Sequence, residues 1–256
     1  MRTPVRAKKN LGQHFLRSSD TAKIIADCLP LVCGNCLEIG PGMGILTKHL
    51  LEKDINLKVI EIDGESIDFL LANAVIASNQ CIQGDFLKLP MTEFFGGEPF
   101  MVMGNFPYNI SSQIMFKVIE NRELVPAVAG MFQREVARRI CSPAGSKEYG
   151  ILSVLIQAFY DTQYHFTVDE HEFNPPPKVK SGVISMVRKE NYTLPCDEKL
   201  FFEVVKTSFN QRRKTLNNSL KKLLNDKKIE ESIGLKRPEQ LSVDDFIQLT
   251  NFIAEE

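Results

Sequence analysis

Net charge is almost absent from this chain: 31 lysines and arginines stand against 32 acidic residues over 256 positions, a balance of −1. That excludes a protein that is basic throughout, so any contact with nucleic acid has to rest on local clusters. No apolar run approaches the length of a membrane span, and the basic N-terminus lacks the apolar core of a signal peptide, so a cytoplasmic protein is expected. The four histidines are dispersed and form no metal set, and no metal is expected. Six cysteines lie at 28, 33, 36, 81, 141 and 196. Cys33-Gly34-Asn35-Cys36 has C-x-x-C spacing but no second pair and no nearby histidine, and Cys36 leads into a strand pattern where a thiol behaves as a small hydrophobe.

What is present is ordinary globular composition, 43% hydrophobic and 25% charged, at a length that allows one large domain or a large and a small one. The informative stretch is Asn105-Phe106-Pro107-Tyr108, which follows the short apolar run Phe100-Met101-Val102-Met103-Gly104 and precedes cap residues and a helical pattern over 113–120. Pro107 fixes its own φ and keeps Phe106 out of the α region, so the loop is extended and its carbonyls can face a ligand. Asn105 adds a side-chain acceptor and Tyr108 a flat π surface, a combination suited to a planar base with an exocyclic amine. An Asx-type turn with a half-buried tyrosine is the alternative.

The same arrangement repeats along the chain. A strand at 36–39 runs into Gly40-Pro41-Gly42-Met43-Gly44 and a helix over 45–53, the first half of a nucleotide-type βαβ unit. The spacing is G-x-G-x-G, which disfavours the G-x-G-x-x-G of dinucleotide binders. A second strand, 57–63, carries Glu61, placed to accept both hydroxyls of a ribose, while Asp63 suits the cap of a helix over 65–78. A third, 81–83, ends in Gly84-Asp85, where an aspartate can accept from an adenine amine or act as a turn residue. Four successive strands thus close at one edge with Gly40, Gly42 and Gly44, then Glu61, Asp85 and Asn105.

Further on, 127–133 reads as a strand, 151–160 as an apolar helix, and 163–168 and 182–188 as strands. Between the last two, Phe173-Asn174-Pro175-Pro176-Pro177-Lys178-Val179 is a stiff loop that could set Phe173 opposite Tyr108, or bury it. Near residue 190 the pattern becomes helical only. From Val204 to Asn225 there are six basic residues, Lys206, Arg212, Arg213, Lys214, Lys221 and Lys222, and no acid, with Val205, Phe209, Leu216, Leu220 and Leu223 as the buried face. So long a run of one sign points to a phosphate-contacting surface. The arm Arg2, Arg6, Lys8 and Lys9 is a second basic cluster, read as a mobile tail or a phosphate contact.

Taken in order, Leu11-Gly-Gln-His-Phe-Leu16, Glu38-Ile-Gly-Pro-Gly-Met-Gly44, Val59-Ile-Glu-Ile-Asp63, Gly84-Asp85, Gly104-Asn-Phe-Pro-Tyr-Asn-Ile110, Phe173-Asn-Pro-Pro-Pro-Lys-Val179 and Phe209-Asn-Gln-Arg-Arg-Lys-Thr-Leu216 resemble the bacterial KsgA family of small-subunit rRNA adenine dimethyltransferases over nearly the whole chain. The resemblance implies an α/β, Rossmann-like class I methyltransferase fold, with a seven-stranded, mostly parallel sheet containing one reversed strand, over residues 1–190. It implies a small all-helical C-terminal domain over 191–256 that contacts RNA and the ribosome. S-adenosylmethionine would be the methyl donor, and two adjacent adenosines near the 3′ end of 16S rRNA in the small ribosomal subunit the acceptor. By motif position, donor contacts fall on His14, Leu16, Gly40, Gly42, Glu61, Asp85 and Asn105, and the catalytic set on Asn105, Phe106, Pro107, Tyr108 and Phe173. Two positions depart from the family: asparagine is commoner where His14 stands, and leucine where Phe106 stands. A monomer is expected. The competing readings are an Erm-type large-subunit rRNA methyltransferase, a non-catalytic RNA-binding assembly factor and an NAD-linked oxidoreductase. The 209–216 motif disfavours the first, the intact site set the second and the glycine spacing the third.

Overall fold

A computed structural model describes residues 5–225 and 227–255; Arg2 of the basic arm lies outside them. The strands are β1 (Phe15–Leu16), β2 (Asn35–Ile39), β3 (Asn56–Glu61), β4 (Cys81–Gln83), β5 (Met101–Asn105), β6 (Ala127–Gln133), β7 (Tyr160–Val168), β8 (Phe173–Asn174) and β9 (Ser181–Arg188). Seven of them form one sheet in the order β4-β3-β2-β5-β6-β9-β7. β2 pairs in parallel with β3 and β5, β3 with β4, and β5 with β6, whereas β9 runs antiparallel to β6. This is the seven-stranded, mostly parallel sheet with a reversed strand that the resemblance implies. The chain steps outward from β2 to β3 and β4 on one side and to β5 and β6 on the other, so the crevice between β2 and β5 is the switch point where such sheets bind ligands.

Local chemistry sets the helices α1 (Ser19–Asp27), α2 (Ile45–Leu50), α3 (Gly64–Ala72), α4 (Thr92–Phe95), α5 (Ser111–Glu120) and α6 (Arg134–Cys141). Ser18 caps α1 by accepting from the Thr21 N–H at 3.1 Å, and Asp63 caps α3 by accepting from Glu65 at 3.2 Å. α3 ends six residues before the expected 78. Asn73 donates its amide to the Phe69 carbonyl at 2.8 Å, and Ala74 follows at φ +50°, which breaks the helical path. α2 likewise stops at Leu50 rather than 53, where the Lys53 ammonium is drawn to Asp27 at 2.9 Å.

Contacts divide the chain into a sheet unit, the described residues up to Ala137 with Thr162–Arg188, and a helical unit of residues 138–161 with those from 189 on. The helical unit takes in α7 (Ile151–Phe159). It also holds α8 (Glu198–Asn210), α9 (Leu216–Ser219), α10 (Lys221–Leu224), α11 (Glu231–Gly234) and α12 (Val243–Ala254). Its core is Phe201, Val204, Val205, Leu216, Leu220 and Phe246, all fully buried, with Phe209 between Tyr149 and Phe246 at ring separations of 6.3 and 6.0 Å. Of the expected buried face, Leu223 is only half-buried. Ser242 and Asp245 cap α12 reciprocally, N–H to side chain, at 3.1 and 2.8 Å.

The centre of the sheet leaves no room for side chains at two glycines. A Cβ on Gly104 would lie 2.6 Å from the Ile39 carbonyl oxygen, and one on Gly130, which sits at φ +151°, would lie 2.2 Å from that of Gly104. Gly130→Ala is expected to destabilise the protein by about 3 kcal/mol or more, read as a lower urea midpoint, because neither neighbouring backbone can yield.

Candidate active site

The carboxyl ends of β2, β3 and β5 open into a cavity of about 490 Å³ whose wall includes Gly40, Gly42, Glu61, Asn105, Phe106, Pro107 and Tyr108, with His14 and Leu16 from an N-terminal strap. Parallel pairing alone brings these together: Glu38 is in register with Val59 and Met103, so the residues that follow each strand leave on the same edge. Asp85 and Phe173 are not on this wall. Asp85 is half-buried and accepts from the Leu87 N–H at 3.0 Å, as a turn residue does, with Lys88 3.7 Å away. Phe173 is 2% exposed and belongs to the hydrophobic core. It pairs through β8 with β1, a two-stranded ladder the sequence pattern gave no sign of. Among the described residues no ring contact joins it to Tyr108. The ring stacked on Tyr108 is instead His14, with centroids 5.7 Å apart and planes 26° from parallel.

Glu61 is buried, and its carboxylate is held by backbone: Oε1 accepts from Ile62 at 2.9 Å and Asp63 at 3.0 Å, Oε2 from Gly42 at 3.3 Å. Burial raises its pKa, and these N–H donors act against the rise. Gly42 reaches it at φ +55°, with Phe15 packed 2.9 Å from where a Cβ would be. Asn105 donates through Nδ2 to the His14 carbonyl at 3.0 Å. A carbonyl can only accept, so this bond fixes the amide and leaves Oδ1 as the acceptor still available. The Phe106 N–H is spent on Met131 O at 3.0 Å, and its side chain is buried against Phe132, so its part in the wall comes from the backbone. Tyr108 gives or receives a short hydroxyl hydrogen bond with buried Ser181, which fixes the plane of the phenol. His14 Nδ1 lies 2.8 Å from the Pro175 carbonyl and must donate to it, which leaves Nε2 as acceptor in the neutral ring.

Glu38 lines the same cavity, and motif reading had not singled it out as a site residue. The signal was there, an acid two positions before the glycine turn. It is fully buried, and burial pushes its carboxyl up to about 8, with Thr47 nearby opposing the rise and Glu61 adding to it. Oε2 has no hydrogen-bond partner of ordinary geometry. A buried, unpartnered carboxyl in a pocket of this size fits a ligand that carries positive charge, as a sulfonium amino acid does. No group of three or more metal-binding side chains occurs among the described residues, and no helix among them is long and apolar enough to cross a membrane.

The model of the family described as ribosomal RNA adenine dimethylase matches residues 5–255. The chain belongs to that family. Membership brings the activity class, an S-adenosylmethionine-dependent rRNA adenine methyltransferase. The chain is 60% identical to the ribosomal RNA small subunit methyltransferase A of Flavobacterium johnsoniae, over 97% of this chain and 96% of that protein. It is 53% identical to its namesake in Bacteroides thetaiotaomicron, over 98% and 95%. Among solved structures, a dimethyladenosine transferase from Plasmodium falciparum superposes with a TM-score of 0.73 at 26% identity, over 92% of this chain and 96% of that one. The 23S rRNA methyltransferase ErmE superposes at 0.67 and 23% identity, over 93% and 99%, a likeness of fold.

Of the basic run, Arg213, Lys214, Lys221 and Lys222 are exposed. Lys206 is exposed with its ammonium 5.8 Å from the Phe202 ring. Arg212 is half-buried: its guanidinium donates to the Lys147 carbonyl at 2.7 Å and lies 3.7 Å from Glu239. The run is not one helical face, because α8 ends at Asn210 and Arg212–Lys214 occupy a turn.

Glu38 generates a pH test. Unfolded, its carboxyl ionises at the ordinary 4.5; folded, it keeps its proton to about 8. The native state holds the extra proton in that window, so the donor-free protein loses stability as pH rises through it. Glu38→Gln should flatten this dependence, gaining more in thermal midpoint over the wild type at pH 8.5 than at pH 5.

Proposed function

We propose that this protein methylates the 6-amino groups of two adjacent adenosines near the 3′ end of 16S rRNA, dimethylating each, as a step in assembly of the small ribosomal subunit. The reading has it act as a cytoplasmic monomer, with residues 1–190 as the methyltransferase domain and 191–256 as an RNA- and ribosome-contacting domain. The observation that carries it is the Asn105 amide, locked by the His14 carbonyl with its oxygen left to accept beside the loop carbonyl of Phe106.

S-adenosylmethionine supplies an electrophilic methyl on a sulfonium. Glu61 takes the ribose hydroxyls, with Oε2, whose bond from Gly42 is the longest of its three, as the oxygen best able to turn to a new donor. Gly40 and Gly42 let the backbone come close. His14 and Leu16 close the wall, and Asp85, which lies outside it, receives the donor's adenine amine only where the donor reaches past that wall. The acceptor's amine is a weak nucleophile because its lone pair is delocalised into the ring. Asn105 Oδ1 and the Phe106 carbonyl accept its two protons and aim the lone pair along the C–S axis, while Pro107 keeps the loop rigid. The N–CH₃ bond forms as the C–S bond breaks, and the nitrogen then loses a proton to solvent. Positioning supplies most of the rate. The flipped base stacks on Tyr108, and Phe173 joins it only on leaving its buried seat. Lys206, Arg213, Lys214, Lys221 and Lys222 take phosphates, with Arg212 partly committed to Lys147 and Glu239.

Labelled-methyl transfer into undermethylated small subunits should place the label on two neighbouring adenosines, and label appearing in large subunits instead would reject the reading. Asn105→Ala should lower turnover by about 100-fold or more, the scale of a lost transition-state hydrogen bond, while calorimetric donor affinity changes only a few-fold. Near-normal turnover in that variant would remove Asn105 from its role.

A further inference from the structure

The geometry points to Asp63 and Lys8 as the latch of an N-terminal strap, residues 8–16, whose closure sets the hold on the methyl donor. This is a positioning role rather than a donor contact, and it rests on the methyltransferase reading above. Residues 11–16 form part of the cavity wall, so the pocket is complete only when the strap is down. The strap has little structure of its own: one 3-10 turn, Lys9–Leu11, which ends at Gly12 with φ +64°, and the two residues of β1. What holds it is its ties to the body.

Those ties start at Asp63. Lys8 Nζ lies 2.6 Å from Asp63 Oδ1 and 3.1 Å from Glu65 Oε1, and Gln13 Nε2 donates to Asp63 Oδ2 at 2.9 Å. The Lys8 N–H donates in turn to Gln13 Oε1 at 2.9 Å, so the two side chains on Asp63 also hold each other in place. Further along, Gly12 passes so close to the acceptor loop that a Cβ would sit 2.6 Å from Asn109 Oδ1. The His14 carbonyl then receives Asn105 Nδ2, and β1 pairs with β8.

Asp63 is fitted to anchor such a segment. It is 3% exposed, and it follows Glu61 by two residues. Burial opposes its ionisation, yet Lys8, Gln13 and the Glu65 N–H together hold its carboxyl below the ordinary range. Two of the donors that make this charge tolerable come from the strap, so strap and carboxylate each depend on the other. A strap that is open part of the time lowers apparent donor affinity by its closed fraction. A bound donor keeps it shut, so transfer at saturating donor is unaffected.

Lys8→Met tests this without touching the cap that Asp63 makes on α3. Calorimetric titration with S-adenosylhomocysteine and initial rates with S-adenosylmethionine should show Kd and donor KM raised by about threefold to tenfold, with kcat within about twofold. Lys8→Arg should restore most of the affinity. Trypsin should cut at Lys9 faster in Lys8→Met, and saturating donor should suppress the difference. Asp63→Asn should weaken the donor in the same direction, with its thermal midpoint read alongside; if that variant does not fold, Lys8→Met alone decides. A wild type that binds donor together with a Lys8→Met variant of equal affinity overturns the latch, as does a loss confined to kcat. A wild type that takes up no donor ends both the methyltransferase reading and the latch.

Discussion

Parallel pairing of β2 with both β3 and β5 is the constraint on which the site depends. Side chains and loops of distant sequence become neighbours because three strands run the same way in register and stop at the same height. The pairing needs close backbone approach at the middle of the sheet, which Gly104 and Gly130 permit by having no Cβ. Phe106 then fills the space that Gly130 leaves, with its ring against Phe132. The apolar underside of the acceptor loop is therefore part of the core, and its polar upper side is held still by packing from below.

Strands and their polar ends were legible because buried parallel strands read as short apolar runs, and the residues after them are glycines, acids and an asparagine that the core has no use for. The start of α3 was legible too, since Asp63 is a capping residue in a capping place. Helix ends were not. α3 stops through the Asn73 amide and the left-handed Ala74, neither of which interrupts an apolar period. The two-residue ladder of β1 with β8 has no periodicity at all, and it decides where Phe173 goes. Proline content made the loop after Phe173 look like a presenter of that ring; long-range pairing turned the ring inward. The basic run shows a related limit: its sign was evident, but its break after α8 and the use of Arg212 on Lys147 and Glu239 arise from contacts far along the chain.

The electrostatics of the cavity fall into two kinds. Glu61 and Asp63 are buried acids satisfied by N–H groups and side chains of the fold, whereas Glu38 is a buried acid left with an unpartnered oxygen. Burial pushes the Glu38 carboxyl up to about 8, raises that of Glu61 against its N–H donors, and leaves that of Asp63 lowered by its partners. Glu38 thus holds a charge in reserve that a positively charged guest would draw out.

His14 lies over one side of the Tyr108 ring and is pinned there through its Nδ1 to the Pro175 carbonyl. That side of the phenol is therefore covered by the imidazole. A planar group settling on that side would have to evict the imidazole, and break its bond to the Pro175 carbonyl, first.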